Sequence, residues 1–312
     1  MIKIIPKRNI WFTVSGVLVI LSVVIIASMG LPLGIDFTGG SLLEIQVSGE
    51  IPDLESVNKA LEGVNDEVGS IKVQQAGLDS FILRSASLNE DQHKVVIESV
   101  SRLLTEESNL IELRFESIGP SLGKELKDKA VMALIMTAIG IILFVAWSFR
   151  HVSNPDKSGG ISGPSSWKYG ISAIIALIHD VLITVGVFTI IARIFDFQMD
   201  ALFVTALLVT LGYSVNDTIV VFDRTRERLQ LNKGKIKLEF AELVNISVNS
   251  TIARSINTSV TTLLVLIALL VLSGSSIVGF ITTLIIGVLI GTYSSIFLAS
   301  PLLVLWAKKG KK

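Results

Sequence analysis

The chain has 312 residues, of which 50% are hydrophobic and 17% are charged, and its mean hydropathy is +0.67. This balance is typical of an integral membrane protein. The 27 basic residues cancel the 27 acidic residues, so net charge gives no reason to expect a nucleic-acid partner. The sequence contains no cysteine, which excludes disulfides and thiolate metal sites.

Six apolar runs are long enough to cross a bilayer, which requires about 20 helical residues. The first run, residues 10–33, follows the basic segment MIKIIPKRN and therefore has the layout of a signal peptide. Because this run is longer than the roughly 7–15-residue apolar core of a cleaved signal, a retained membrane anchor is favoured. The sequence thus predicts an α-helical membrane protein with six spans.

Lysine and arginine are concentrated in alternate connections between these runs, and the intervening short connections contain none. Because cytoplasmic loops carry an excess of basic residues, both termini are predicted to be cytoplasmic and the large first connection extracytoplasmic. The predicted organisation is an N-terminus with the first span at 1–33, an outer domain at 34–127, spans at 128–149, 169–194, 200–222, 255–273 and 277–306, cytoplasmic loops at 150–168 and 223–254, and a basic tail at 307–312.

The outer domain alternates between strand-like and helix-like segments. SLLEIQVSG has strand alternation, SIKVQQA and SFILRSA form a predicted hairpin, and LIELRFESI is a predicted last strand. DLESVNKALEGV and NEDQHKVVIESVSRLLT are predicted to be capped amphipathic helices. The order β-α-β-β-α-β is that of a ferredoxin-like α+β domain. The domain shows no catalytic constellation, and His93 is predicted to be a solvated residue on a polar helix face.

No part of the sequence is suited to nucleotide hydrolysis. The predicted cytoplasmic connections are too short to hold an ATPase domain of ordinary size, and no G-x-x-x-x-G-K-[ST] motif is present. The paired glycines of DFTGGS lack the lysine, and their simplest interpretation is a turn from the first span into the first strand. Any work must therefore draw on a partner's ATPase or on an ion gradient.

An ion gradient requires titratable groups within the spans, where each costs about 2.5–3.5 kcal/mol. Asp180, Asp217 and Arg254 are the candidates. Asp217 and Arg254 are predicted to lie at similar depth and to be coupled through direct contact. There an opposite charge favours the ionised carboxylate and burial favours the neutral acid. The alternative is an inert buried ion pair that fixes helix register. His179, without a second His or Cys nearby, is more typical of a hydrogen-bonded core residue than of a metal ligand, so no metal is expected.

Several strings resemble the signatures of the SecD/SecF family of bacterial protein-export subunits. They are GIDFTGGSLLEI after the first span, GPSLGKEL before the second, HD in the third, GYSVNDTIVVFDRTRE in the fourth, and RSINTSVTTLL and GTYSSIFLASPLL in the last two. They occur in order over essentially the whole chain. With one short outer domain, the chain resembles the SecF branch of the family in particular.

The resemblance implies a six-helix bundle similar to half of an RND-type transporter, in the bacterial plasma (inner) membrane. It implies pairing with SecD, association with the SecYEG channel, further contacts with YajC and YidC, and unfolded preproteins as substrates. The proton-motive force would supply the energy, so no cofactor is expected. The 150–168 loop and the 229–240 stretch look longer than is usual in the family, which leaves partner docking there open.

The family's proton-passage positions match Asp217 and Arg254. The predicted sites are of three kinds, and none is catalytic or metal-binding. The proton pathway comprises Asp217, Arg254, Asp180, His179, Asn216, Tyr213, Asn257 and Thr258; the hinges of the outer domain comprise Gly34, Asp36, Phe37, Thr38, Gly39, Gly40, Gly119, Pro120 and Gly123; and the helix-packing stripe of the last span includes Gly287, Gly291 and Ser295.

Two other functions remain open at this stage. Half of an RND-type exporter of small molecules or lipids is the second hypothesis, although such proteins usually carry two large outer domains and twelve spans. A membrane enzyme is the third, and it is disfavoured because the sequence shows no nucleophile–base pair and no metal-ligand set.

Overall fold

The computed structural model describes residues 1–105, 107–150, 164–232 and 238–308. The chain divides into two compact units. The helical unit comprises Met1–Pro32, Met132–Phe197 and Leu202–Lys312, and the second unit comprises Leu33–Val131 and Gln198–Ala201.

Eleven α-helices and four strands follow one another in the described part of the chain. In chain order they are a 3-10 turn (Ile5–Lys7), α1 (Arg8–Met29), α2 (Ile35–Thr38), β1 (Gly40–Ser48), α3 (Leu54–Glu62), α4 (Asn65–Val68), β2 (Lys72–Gln75), β3 (Ser80–Ser85), α5 (Glu90–Ser101), β4 (Asn109–Ile118), α6 (Pro120–Ser148), α7 (Ser166–Phe195), α8 (Ala201–Leu231), α9 (Phe240–Leu272), α10 (Ser275–Ser294), a π-helical segment (Ser295–Ala299) and α11 (Ser300–Lys308).

Six stretches of helix in the described residues are long and apolar enough to cross a membrane, which confirms the predicted number of spans. They are α1 with its preceding turn, α6, α7, α8, α9, and the continuous α10–π–α11. α7 is the most buried of the six and α6 the least, so α7 lies at the centre of the helical unit. The exposed faces of α1, α6 and α9 in particular carry many large apolar side chains.

Several helices extend beyond the apolar runs from which they were predicted. α8 continues through charged residues to Leu231 and α9 begins at Phe240, so much of the predicted 223–254 loop is helical. Hydropathy marks where residues favour lipid, whereas Arg, Lys and Glu continue a helix readily into a polar region. α6 likewise begins at Pro120, because proline suits the first turn of a helix. Residues 151–163 and 233–237 of the two loops, and 309–312 of the tail, lie outside the described residues.

The second unit is a four-stranded antiparallel sheet in the order β2-β3-β1-β4. Together with α3 and α5, it confirms the predicted β-α-β-β-α-β arrangement, to which α4 adds one turn. Leu43, Ile45 and Val47 alternate on the face of β1 that is buried, where they pack with Phe81 and with Val57 of α3. The alternation from which β1 was predicted to be a strand is thus the alternation of buried and less buried side chains in the sheet.

Both longer helices of this unit begin at the predicted caps. The Asp53 carboxylate accepts a hydrogen bond from the Ser56 backbone N–H at 2.9 Å, and Asn89 forms a reciprocal capping box with Gln92. The hydrogen bonds that Asp53 accepts from the hydroxyl and the backbone N–H of Ser56 lower the pKa of its carboxyl. These bonds satisfy donors that a helix start otherwise leaves unpaired.

The prediction of a solvated His93 is wrong. Its Nε2 lies 3.1 Å from the Glu112 carboxylate, and its ring stacks on Phe115 with the centroids 4.0 Å apart. Both partners belong to β4, which the sequence pattern of α5 alone does not place next to the histidine. The side chain is only 19% exposed as a result.

The DFTGG segment is a single helical turn, α2, followed by two glycines in the left-handed region, rather than a simple turn. A Cβ on Gly39 would lie 2.8 Å from the Pro120 Cα, and a Cβ on Gly123 would lie 2.8 Å from the Gly39 nitrogen. The start of α6 thus packs backbone to backbone on this segment. The Asp36 carboxylate accepts the backbone N–H of Ala201 at 2.6 Å.

This geometry gives the glycines a packing role in addition to the predicted hinge role. Gly34 belongs to the same joint, since its N–H donates to the Met199 carbonyl at 2.8 Å. Gly119 has open space around it. Whether the joint moves remains a prediction.

Candidate proton-binding sites in the helical bundle

Asp217 is buried within α8 and contacts two neighbouring helices through hydroxyl groups. Ser255 of α9 donates a hydrogen bond to Oδ1 at 2.5 Å, and Ser295, the first residue of the π-helical segment, donates to Oδ2 at 2.5 Å. The carboxylate therefore joins three spans. Both of these partners are neutral.

The predicted contact between Asp217 and Arg254 is absent from the described residues. The Arg254 side chain is exposed on α9, and Ser255 occupies the position next to the carboxylate. One residue turns an α-helix by about 100°, so Arg254 points away from the face on which Ser255 meets Asp217. The sequence placed the two charges at similar depth, but it could not fix the rotation of α9 about its axis.

Asp180 is a second buried carboxylate, located in α7. Its Oδ2 accepts hydrogen bonds from Ser214 at 2.5 Å and from Ser294 at 2.7 Å. Its Oδ1 lies 2.9 Å from Nδ1 of the adjacent His179. The His179 ring in turn stacks on Tyr293, with centroids 6.1 Å apart. As predicted, His179 is a hydrogen-bonded residue of the interior.

The two carboxylates are connected through adjacent residues. Ser214, which donates to Asp180, is one turn from Asp217 on α8. The consecutive residues Ser294 and Ser295 donate to Asp180 and to Asp217, respectively. Both of these consecutive serines are fully buried. The partners of the two carboxyl groups are therefore adjacent residues on α8 and at the end of α10.

Pro301 explains why the helix widens at this position. Proline lacks a backbone N–H and its ring collides with the carbonyl four residues earlier, so the α-helical hydrogen-bond pattern cannot continue through it. The chain forms the π-helical segment Ser295–Ala299 just before it, and the Ser300 hydroxyl donates to the Ser295 carbonyl at 2.9 Å. π-bulges of this kind occur frequently at functional sites. Sequence reasoning missed this segment, although a proline inside an apolar run was the available signal.

The remaining predicted pathway residues fall into two groups. Tyr213 belongs to the interior network, because its hydroxyl donates to Ser259 at 3.1 Å, and Ser259 is 2.5 Å from the Thr292 hydroxyl. Four others lie on the exposed surface of the helical unit, and they are Asn216, Arg254, Asn257 and Thr258. Ser255 and Ser294 are contacts that the sequence reasoning did not single out.

The stripe of small residues on α10 brings this helix close to α8. A Cβ on Gly287 would lie 2.3 Å from Thr210 Cγ2, and a Cβ on Gly291 would lie 2.9 Å from Ser214 Cβ. Ser295, predicted as part of the same packing stripe, also binds Asp217. The close approach is what lets short serine side chains reach both carboxylates. Across the described residues, no group of three or more His, Asp or Glu side chains is arranged to hold a metal ion.

The fold and the buried carboxylates define a multi-pass membrane protein of the RND-like class, with one α+β domain between its first two spans. A crystal structure of SecDF from Thermus thermophilus matches with a TM-score of 0.80 and 30% identity, covering 98% of this chain and 39% of that one. This chain therefore spans about two-fifths of the SecDF chain. A second SecDF structure, in the super-membrane-facing form, matches with a TM-score of 0.67 and 31% identity, covering 99% of this chain and 39% of that one.

The chain belongs to the SecD/SecF family of protein-export membrane proteins. The family model "Protein export membrane protein SecD/SecF, C-terminal" matches residues 98–154 and 164–309, and "SecD/SecF GG Motif" matches residues 24–50. The chain is 38% identical to protein translocase subunit SecF of Anaerolinea thermophila, over 98% of this chain and 94% of that protein. It is 39% identical to SecF of Thermobaculum terrenum, over 99% of this chain and 95% of that protein. These matches confirm the resemblance on which the sequence predictions rest.

Proposed function

We propose that this chain is the SecF-type subunit of a bacterial protein-export machinery. It pairs with a SecD subunit, associates with the SecYEG channel, and uses the proton-motive force to promote the late stage of preprotein translocation. Three kinds of support converge: the family, relatives named as translocase subunits over nearly their full length, and a relative from Thermus thermophilus in which the names SecD and SecF are combined in one protein. Protons pass through Asp217.

The observation that carries the proton role is that Asp217 pairs with two hydroxyl groups and, among the described residues, with no cation. A serine hydroxyl donates to a carboxylate and can equally accept from a protonated carboxyl group. The same two partners, Ser255 and Ser295, therefore satisfy both protonation states without moving the helices apart. An arginine in contact would favour only the ionised state. Asp217 is thus suited to gain and lose a proton repeatedly.

The exposed polar side chains near Asp217 support a protein partner on that side of the bundle. Asn216, Arg254 and Asn257 are exposed on α8 and α9, close in sequence to the buried site. An arginine in contact with lipid at the centre of a membrane costs about 2.5–3.5 kcal/mol. We assign this surface to the SecD helices. Arg254 then contributes to proton passage from the interface between the two subunits rather than through a contact with Asp217.

The second unit, residues 33–131 with 198–201, is assigned to the extracytoplasmic side, where a preprotein emerges. Both termini are then cytoplasmic, and the bilayer is the bacterial plasma membrane. This domain reorients when Asp217 changes protonation, and it contacts the unfolded preprotein or the outer domain of SecD as it does so. YajC and YidC are further partners in this account.

Export by membrane vesicles that contain the chain and its SecD partner tests the proposal. The Asp217→Asn variant retains the shape of the side chain and removes its titration. The matched control is Asp223→Asn on the same helix, where the carboxylate is 53% exposed and pairs with Arg226 at 2.5 Å. We expect Asp217→Asn to abolish the part of preprotein export that depends on the proton gradient, and Asp223→Asn to retain it. Gradient-dependent export at the wild-type rate in Asp217→Asn would contradict the proposal.

A further inference from the structure

The His179 imidazole has one nitrogen with a partner and one without. Nδ1 lies 2.9 Å from Asp180 Oδ1, whereas Nε2 is buried and accepts or donates no hydrogen bond among the described residues. The side chain is 4% exposed. A buried polar atom without a partner costs free energy that an apolar side chain at this position would not. Nε2 therefore retains a hydrogen-bonding capacity that its described surroundings do not use.

The protonation state of Asp180 decides which nitrogen of the imidazole carries the proton. Its Oδ2 accepts the hydroxyls of Ser214 and Ser294, and its Oδ1 faces the imidazole. When Asp180 is ionised, its carboxylate only accepts hydrogen bonds, so Nδ1 is then the protonated nitrogen of the neutral ring. Nε2 is then left with an unshared lone pair that points into the protein. A carboxylate that holds an imidazole in this tautomer makes Nε2 the basic atom.

Few other charged or titratable groups face this imidazole. Tyr293 of α10 stacks on it, and the Tyr293 hydroxyl lies 3.2 Å from Ser15 of α1. α1 has no acidic or basic residue after Arg8, at its first position. On α8, Asp217 is one turn from Ser214, which contacts Asp180. The groups that set the protonation of His179 are therefore Asp180 and Tyr293, which contact it, and Asp217, which lies one turn from a residue that contacts Asp180.

We propose that Nε2 of His179 is a second proton-binding atom of the bundle, and that Asp180 is its positioning residue. Nε2 takes a proton from hydronium, releasing water, and the resulting imidazolium is stabilised by Asp180. The charge of the His179–Asp180 pair changes from −1 to 0 in this step. The consecutive residues Ser294 and Ser295, which donate to Asp180 and to Asp217, then link the occupancy of this site to that of Asp217. This inference deepens the proposed function and rests on it for its role in export, but the protonation itself can be measured separately.

Nuclear magnetic resonance of the full chain, with its histidines labelled with nitrogen-15 and the protein in lipid nanodiscs, tests the proposal directly. The sequence contains three histidines, and His179→Gln identifies the signals of His179 by their loss. The test itself uses the wild-type protein, so a folding defect in the variant does not affect it. At pH 8 we expect the neutral tautomer with the proton on Nδ1. Between pH 8 and pH 5, the range in which imidazoles change charge, we expect the Nε2 signal to move to the position of the protonated ring.

The Asp180→Asn variant tests the positioning role. Its side-chain amide can donate to the ring, so the Nδ1–H tautomer is no longer enforced, and we expect the tautomer ratio at pH 8 to shift measurably toward Nε2–H. An Asp180→Asn spectrum with the wild-type tautomer would overturn the role of Asp180. Wild-type His179 signals that stay neutral from pH 8 to pH 5 would overturn the proposal and leave an inert core histidine. Neither readout depends on export, so a failure here is distinguishable from a failure of the proposed function.

Discussion

Replacing Gly287 by alanine tests the close approach of α10 to α8 on which the carboxylate contacts depend. The added Cβ would lie 2.3 Å from Thr210 Cγ2 and 2.6 Å from Thr210 Cβ. Carbon atoms pack best at about 3.5–4.0 Å, so the new Cβ and the Thr210 side chain must move apart by about 1 Å. Rotating the Thr210 side chain moves Cγ2 but not Cβ, and the helices themselves must therefore shift. Overpacking of this kind costs about 1–3 kcal/mol, and we expect the upper part of that range.

Gly279→Ala on the same stripe is the matched control. Its Cβ would lie 3.8 Å from Phe188 Cζ, which is ordinary van der Waals contact. Removing a helical glycine here is expected to be neutral or to stabilise by up to about 1 kcal/mol. The free energy of unfolding should thus be lower for Gly287→Ala than for Gly279→Ala by about 2–4 kcal/mol. It is measured by denaturant titration of each variant in detergent micelles. Equal values within about 0.5 kcal/mol would refute the packing argument.

Two further predictions concern individual contacts. A double-mutant cycle on the free energy of unfolding should give a coupling of about 1.5–3 kcal/mol between Asp217 and Ser255, because the serine contacts the carboxylate. The coupling between Asp217 and Arg254 should be near zero, because the arginine does not contact it. The opposite ranking would show that the rotation of α9 about its axis is wrong. The pKa of Asp53 is lowered by folding, so its contribution to stability is complete above the unfolded value near pH 3.8 and is lost as the pH falls through the lower folded value. Hydrogen-exchange protection at the start of α3 should therefore fall as the pH is lowered. Protection at the start of α5, which is capped by the neutral Asn89, should change less. Equal loss of protection at both helix starts would contradict this reasoning.

The fold was predictable from the sequence because its main signals are local. The six spans follow from run length, and the outer domain follows from the alternation of period-2 and period-3.6 segments with caps such as Asp53 and Asn89 between them. The ends of the helices were harder to predict from the sequence. α9 begins at Phe240 because helix formation continues through polar residues that hydropathy assigns to a loop.

The site was predictable in part. The sequence did not show how each helix is rotated about its own axis. Asp217 and Asp180 stand out in the sequence because a carboxylate in an apolar run is costly. Arg254 stands out for the same reason, yet its neighbour Ser255 makes the contact, since tertiary packing alone fixes which face of α9 meets α8. A serine among many serines and threonines has no signal of its own in a single sequence. His93 was misjudged for a related reason, because β4 is distant in the chain from α5.

The central claim is that protons cross this protein through the Asp217 carboxyl group. The most direct measurement is proton flux into sealed vesicles that contain the chain with its SecD partner and are engaged in export, followed with a pH-sensitive dye under an imposed gradient. Asp217→Glu retains a titratable group on a longer side chain, and Asp217→Asn does not. The account predicts loss of export-linked flux in Asp217→Asn and a measurable remainder in Asp217→Glu. Wild-type flux in Asp217→Asn would contradict it.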